Sequence, residues 1–300
     1  MANVANSAVV AQSQQESVGK RTISTLMLAY AGRMLIHMIL ATAALIVAAP
    51  FLWMASTALK PMSEIFVVPP QWIPRHPQWQ NFSVAWHSAT FGRFYTNSLI
   101  VALTITCVQL ANVTMAAYVF ARIAFRGRDI IFLLFLATMM IPTQVTIVPV
   151  FILLKQFNWI NTYMALIVPF FGSAFGTFLM RQAFLSIPQD LVDAAKLDGA
   201  GHIRTLWSVM LPLSVPILVT FTLLTFMWHW NDYFFPLIVT STNDMRTLPI
   251  GLTMFMQSEG GSAWNLLMAA ALFVMAPVMI LFLLAQRQFI QGVASTGMKG

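Results

Sequence analysis

Six stretches of mostly apolar residues, near 34–58, 94–121, 130–154, 162–182, 211–236 and 264–286, dominate this sequence. A helix needs about 20 such residues to cross a bilayer. Backbone N–H and C=O groups find no water in lipid, so each stretch must satisfy its own hydrogen bonds, as a helix does. The segments between them must be water-exposed or packed on protein. Only 8% of the 300 residues are charged, whereas 59% are hydrophobic. Soluble domains carry roughly a quarter charged residues, so this chain cannot cover its surface against water and lipid must be its solvent. The expected fold is all-α: a polytopic membrane protein with six transmembrane helices.

The basic residues orient those helices. Of the 16 Lys and Arg, the first segment holds Lys20, Arg21 and Arg33, and the gap after the second stretch holds Arg122, Arg126 and Arg128. Arg181, Lys196 and Arg204 follow the fourth stretch, and Arg287 and Lys299 follow the sixth. The alternate gaps hold only Lys60, Arg75, Arg93, Lys155 and Arg246. The positive-inside rule therefore places both termini in the cytoplasm. The net charge of +7 is spread over these gaps and forms no stripe or arm, so nucleic acid is not an expected partner. Residues 1–21 end on their basic pair, the reverse of a cleavable signal peptide. They are read as part of a flexible cytoplasmic tail, 1–33. Cys107 is the single cysteine, which excludes an intrachain disulfide.

Two gaps are long. Residues 59–93 carry Pro69, Pro70, Pro74 and Pro77 together with Trp72, Trp79 and Trp86. Prolines suppress regular helix and tryptophans favour the membrane interface. This outer loop suits the headgroup layer, or a docking surface for an external protein. The second long gap, 183–210, lies between the fourth and fifth stretches on the cytoplasmic side. Ser186 and Gln189 have capping-box spacing around Pro188, which predicts a helix from about Ile187. Ile187, Leu191, Ala194 and Ala195 would share one face, with Asp190, Asp193 and Lys196 elsewhere. Gly199 stands where a left-handed terminus would end that helix, and a second short helix is expected from Gly201 to Met210. Such a helix could dock a partner, with Ala194 and Ala195 allowing close approach, or it could rest on the membrane surface.

Asp193-Ala194-Ala195, three residues, Gly199, nine residues, then Val209-x-Leu211-Pro212 resembles the EAA loop of the permease subunits of bacterial ABC importers. The family pattern has Glu at the first position and Ile at Val209; the spacing agrees throughout. Ala195–Ala200, Pro69–Pro74, Trp230–Pro236, Gln286–Gly292 and Gly297–Gly300 are similar to the maltose-type sugar permeases. The resemblance implies an ABC permease transmembrane domain over 34–290, with a coupling loop at 183–212 and a cytoplasmic C-terminal tail at 291–300. It assigns coupling to the ATPase to Asp193, Ala194, Ala195, Lys196, Asp198, Gly199, Leu211 and Pro212. It further implies a second permease subunit, two ATPase subunits and an extracytoplasmic solute-binding protein as partners, in a bacterial cell membrane. No cofactor is expected on this chain, with ATP and Mg on the partner subunits.

Polar groups at membrane depth are candidates for the solute path, because lipid exposure costs them a few kcal/mol. Gln144 follows Pro142 in the third stretch, about 20 Å from its cytoplasmic start at 1.5 Å per residue. Helix–helix hydrogen bonding would explain it equally. Trp230, Asn231 and Asp232 close the fifth stretch, where aromatic faces beside polar groups suit a sugar; an interfacial aromatic belt would use the same residues. His229 is read as an interfacial hydrogen-bonder, and Gly172 with Gly176 as a helix-packing pair. The expected function is import of a sugar or oligosaccharide, with glycerol phosphate or its diesters as the alternative cargo. A stand-alone secondary transporter would normally carry two related halves and buried ionisable groups. Here the ionisable residues lie almost entirely at the ends of the stretches, and no second half is visible. No His-Glu-x-x-His, Gly-x-Ser-x-Gly or Walker loop is present, so neither an intramembrane enzyme nor an ATP site is expected.

Overall fold

A computed structural model of the chain describes Tyr30, residues 32–256 and residues 263–297. Most of the expected N-terminal tail, with Lys20 and Arg21, lies outside the described residues, as does Lys299. The regular elements among the described residues are all helical.

The chain divides into two units, Met1–Ser56 and Thr57–Gly300. Most of α1 (Gly32–Ala58) falls in the first. Met34, Ile39, Leu45 and Val47 are each 60% or more exposed. A helix apolar all round needs a protein interior or lipid around it.

The second unit contains α2 (Gln80–His87), α3 (Phe91–Arg122), α4 (Arg128–Ala137), α5 (Thr143–Gln156), α6 (Tyr163–Ile167), α7 (Ala174–Ser186), α8 (Gln189–Leu197), α9 (His202–Thr205), α10 (Leu211–Leu213), α11 (Val215–Trp230), α12 (Phe234–Val239), α13 (Leu248–Met254) and α14 (Trp264–Gly297). Short 3-10 turns follow α4 and α6, and a π turn, Leu206–Met210, joins α9 to α10. Three helices are long and apolar enough to cross a membrane by themselves: α1, α3 and the segment Trp264–Gln288 of α14. Three bent pairs qualify only if each is taken as one span, which makes three to six candidate spans.

Each bend has a local cause. Arg128–Met140 and Thr143–Gln156 meet at 98°, where Ile141 is extended because Pro142 follows it. Tyr163–Phe170 and Ala174–Ser186 meet at 41°. There Ser173 is extended, and its side chain accepts from Gly176 N at 3.0 Å, starting α7 afresh. His202–Leu213 and Val215–Trp230 meet at 84° about Ser214. The depth of about 20 Å counted to Gln144 along a continuous helix is thereby corrected. Depths counted at 1.5 Å per residue do not hold across the bends at Pro142 and Ser214, and α11 stops at Trp230 rather than continuing to Pro236.

α3 enters all three apolar cores. Phe91, Phe94 and Ala102 pack with α2, α11, α13 and α14. Val101 and Ile105 pack with α5, α6 and α12. Val113, Ala117, Tyr118 and Ala121 pack with α7, α8 and the start of α11. Alanines with no exposed surface at 102 and 117 let neighbouring backbones come close. A similar approach occurs where α7 meets α11: a Cβ on Gly176 would lie 2.4 Å from the Phe221 ring. Gly172, its expected packing companion, has nothing within 4 Å of that position.

Candidate functional site

The loop after α7 is built from the core outward. α8 begins at Gln189, two residues later than the spacing predicts, and has no side-chain cap. Ser186 Oγ instead donates back to Ala183 O at 2.8 Å, within α7. The capping-box reading is therefore corrected: Gln189 Oε1 is turned to Arg122, at the end of α3, and its Nε2 to Asp193 Oδ1. Arg122 donates one terminal nitrogen to Gln189 Oε1 and the other to Phe184 O and Ile187 O, each at 2.6 Å for the carbonyls. A guanidinium here satisfies the last carbonyls of α7 and holds the first turn of α8 in one contact.

The face that α8 turns inward is also offset by one residue from the expected one. Val192 is the side chain buried into the core, beside Ile187, Leu206 and Met210. Leu191, expected on the buried face, is 45% exposed. Asp193, Ala194 and Lys196 are exposed and Ala195 is half-buried. Asp193 accepts from Lys196 Nζ at 3.1 Å and from Gln189 Nε2 at 3.0 Å. These two bonds, Lys196 first, hold its carboxyl below the ordinary carboxylate value.

α8 ends as the glycine predicts. Gly199 has φ +78°, its N–H reaches Lys196 O at 2.9 Å, and Ala200 N–H reaches Ala195 O at 2.9 Å. That pair of bonds is a Schellman terminus, which needs a left-handed residue. A Cβ on Gly199 would meet nothing within 4 Å, so any penalty there comes from backbone strain alone. Asp198 is exposed at the helix end. Beyond Gly201, α9 is tied to α3 by Tyr118 OH and His202 Nδ1 at 3.1 Å. Leu211 packs on the same core as Val192, and exposed Pro212 occupies the first turn of α10, where its missing N–H costs nothing.

The four residues expected on a solute path do not meet in one cavity. Gln144 is exposed in the first turn of α5, just past the 98° bend. Trp230 has no exposed surface; its ring stacks on Phe226, and its Nε1 donates to Val274 O at 2.9 Å. Asn231 is exposed and donates to Met227 O of its own helix at 2.8 Å. Asp232 accepts from Phe235 N at 3.3 Å, at the start of α12. His229, read as interfacial, is buried beside Gln109 Nε2 at 3.5 Å and the Phe170 ring.

In the segment 59–93, the Lys60 side chain is fully buried and donates to the Gln71 carbonyl. Burial pushes its pKa down, against the pull of Glu64. Asn81 Nδ2 donates to Ala58 O and Lys60 O at 2.9 and 3.0 Å. These contacts turn Phe66, Val68, Trp72, Ile73 and Trp79 outward, whereas Trp86 packs among Phe91, Tyr95 and Phe273.

Sequence reasoning missed the polar side chains of α3. Asn97, Gln109 and Asn112 interrupt the second apolar stretch, and that interruption was the available signal. Asn97 Nδ2 donates to Asp244 O and Arg246 O at 2.8 and 2.9 Å. Gln109 Nε2 donates to Phe170 O at 2.6 Å, and Asn112 Nδ2 to Phe171 O at 2.9 Å.

A helical chain with several candidate spans and a helix–glycine–helix loop before the penultimate one is the architecture of a membrane permease. Residues 113–295 match the family described as binding-protein-dependent transport system inner membrane component. The sn-glycerol-3-phosphate transport system permease protein UgpE of Yersinia enterocolitica is 35% identical over 241 residues, 78% of this chain and 86% of the relative. The arabinooligosaccharides transport system permease protein AraQ of Halalkalibacterium halodurans is 35% identical over 207 residues, 69% of this chain and 74% of the relative. A chain from the crystal structure of a bacterial ABC transporter involved in the import of the acidic polysaccharide alginate shares the fold. Its TM-score is 0.76 at 22% identity, covering 85% of this chain and 95% of that one. The chain belongs to the binding-protein-dependent ABC importer permeases. It is a multi-pass permease of the inner membrane and not itself a catalyst, and ATP hydrolysis in this family falls to a partner ATPase.

Proposed function

We propose that this chain is one of two permease subunits that together form the path for a sugar or oligosaccharide handed over by an external solute-binding protein. In this reading the bent pairs each count as one span, giving six. Both termini lie in the cytoplasm because eleven of the 16 basic residues fall on that side. Residues 34–290 form the permease domain, with tails at 1–33 and 291–300. The loop 183–212 docks on one of two ATPase subunits that bind ATP and Mg. Gln144, Asn231 and Asp232 remain polar groups available to a solute along the chain, while Trp230 serves the apolar core.

The observation that carries the docking role is α8 itself. It is anchored by Val192, turned back by Gly199, and leaves Asp193 and Ala194 exposed among the described residues. Gly199→Val places a β-branched side chain at positive φ, which costs about 1–2 kcal/mol in the backbone. It should leave the spans inserted, yet loosen the ATPase and stop uptake. Ala194→Trp should act similarly by blocking close approach. Lys196→Ala removes only a surface pair, worth at most about 1 kcal/mol, and should be mild. Co-purification of the ATPase alongside uptake decides the matter: normal assembly and uptake in both Gly199→Val and Ala194→Trp would end the docking reading.

Glycerol phosphate is the second cargo reading, favoured by the 35% identity to a glycerol-3-phosphate permease over 78% of the chain. Sugar is preferred because no described basic residue lies within the spans away from their ends, where a phosphate would need one. Uptake of labelled arabinooligosaccharide and of glycerol 3-phosphate by the assembled transporter separates the two.

A further inference from the structure

Three sets of side chains on α3 grip other elements at three heights. At one end, Arg93 Nε donates to Asp244 O at 3.2 Å, Asn97 holds Asp244 O and Arg246 O, and Ser98 Oγ accepts from Leu248 N at 2.8 Å. Tyr163 OH adds a bond to Asn97 Oδ1 at 2.6 Å. Midway, Gln109 and Asn112 take the carbonyls freed at the bend between α6 and α7. At the other end, Tyr118 meets His202 on the far side of the loop 183–212 and Arg122 meets Phe184, Ile187 and Gln189 on its near side. The two spans so gripped, Tyr163–Ser186 and His202–Trp230, are bent by 41° and 84°. α3 runs 32 residues without a break or an internal proline. From Asn97 to Arg122 it rises about 38 Å at 1.5 Å per residue.

A bent span dissipates displacement at its bend, whereas an unbroken helix moves as one body. Resting on the reading of 183–212 as the docking loop, we propose that α3 is the rod that carries displacement of that loop to the segment 241–248 at the opposite membrane face. Arg122 and Asn97 are its two positioning residues. When the ATPase pulls α8, Arg122 and Tyr118 draw α3 along with it. Asn97 then moves the backbone at 244–248, and α13 behind it. Neither residue needs to touch solute or nucleotide.

The quantity that tests this is solute imported per ATP hydrolysed, in the full transporter with its ATPase and binding protein in proteoliposomes. Arg122→Met keeps the stem and removes the donors; it should retain the ATPase and lower that ratio at least tenfold. Arg122→Lys, with one cationic donor, should recover part of it. Asn97→Ser, about 38 Å away along the helix, should lower the ratio as well. A residue that merely folds the dock would lose the ATPase and keep the ratio in whatever complex survives. Loss of the ATPase from Arg122→Met, or an unchanged ratio in either variant complex, overturns the rod. A second measurement needs no change to the grips. Spin labels at Ser186 and Asn243, in a chain with Cys107 replaced, should keep one separation between resting and ATP-trapped complexes. A change as large as one helical turn, about 5.4 Å, also overturns it. Failure of the underlying docking reading looks different, since Gly199→Val and Ala194→Trp would then assemble and transport normally.

Discussion

Trp230 illustrates how one residue type serves opposite readings. An indole near the end of a span suits a sugar platform or an interfacial belt, and the sequence offers no means of choosing. The structure seals this one between Phe226, Tyr95 and Val274 O. Trp230→Ala should therefore cost about 3–5 kcal/mol of stability, as loss of a large buried aromatic does. Thermal unfolding of the detergent-solubilised protein would register the loss. In the fraction that folds, solute affinity should be unchanged; a selective loss of affinity with normal stability would place Trp230 on the path after all. Gly199 is the contrasting case. A positive φ leaves its mark in the residue type itself, so the helix end was legible. The buried side of α8 was not, because Ile187 lies before the helix, and the face that α8 turns inward is offset by one residue, about 100°. That rotation exchanges Leu191 for Val192.

Among the helices, the positions of the apolar stretches were legible and their directions were not. Hydropathy records how long a segment stays apolar, and it is blind to the axis changing course within it. Pro142 announces one of the three bends. Ser173 and Ser214 announce nothing, since a serine at a break is indistinguishable in sequence from a serine bonded within a helix. The polar residues of α3 answer a question that the bends create. Each freed carbonyl needs a donor, and Gln109 supplies one to Phe170. Gln109→Leu should leave that carbonyl unpaired, at a cost of about 1–3 kcal/mol. Chemical denaturation in detergent, compared with the surface change Lys155→Ala, would show it. A Gln109→Leu protein as stable as the parent would mean that water reaches the break.

For the molecule as a whole, the asymmetry of basic residues is what supports the proposed orientation, which backbone geometry alone leaves open. In a chain with Cys107 replaced, cysteines at Ile73 and Ser186 test it. Ile73 is 81% exposed, which makes it a better probe than its half-buried neighbour Gln71. An impermeant reagent applied to intact cells should label Ile73 and spare Ser186; labelling at Ser186 would invert the topology.

The grips of α3 bear on how such a chain can diverge. Asn97, Gln109, Asn112 and Arg122 direct most of their donors to backbone carbonyls, and a carbonyl is the one group that every residue type carries. The held segments are thus free to exchange side chains while the hold persists, whereas the holding residues are not. Under selection for uptake in a saturation library, Asp244 and Phe171 should accept many replacements, and Asn97 and Arg122 almost none. A transporter lineage built this way can turn over the surfaces that meet its solute and its partners while the scaffold beneath them keeps its shape.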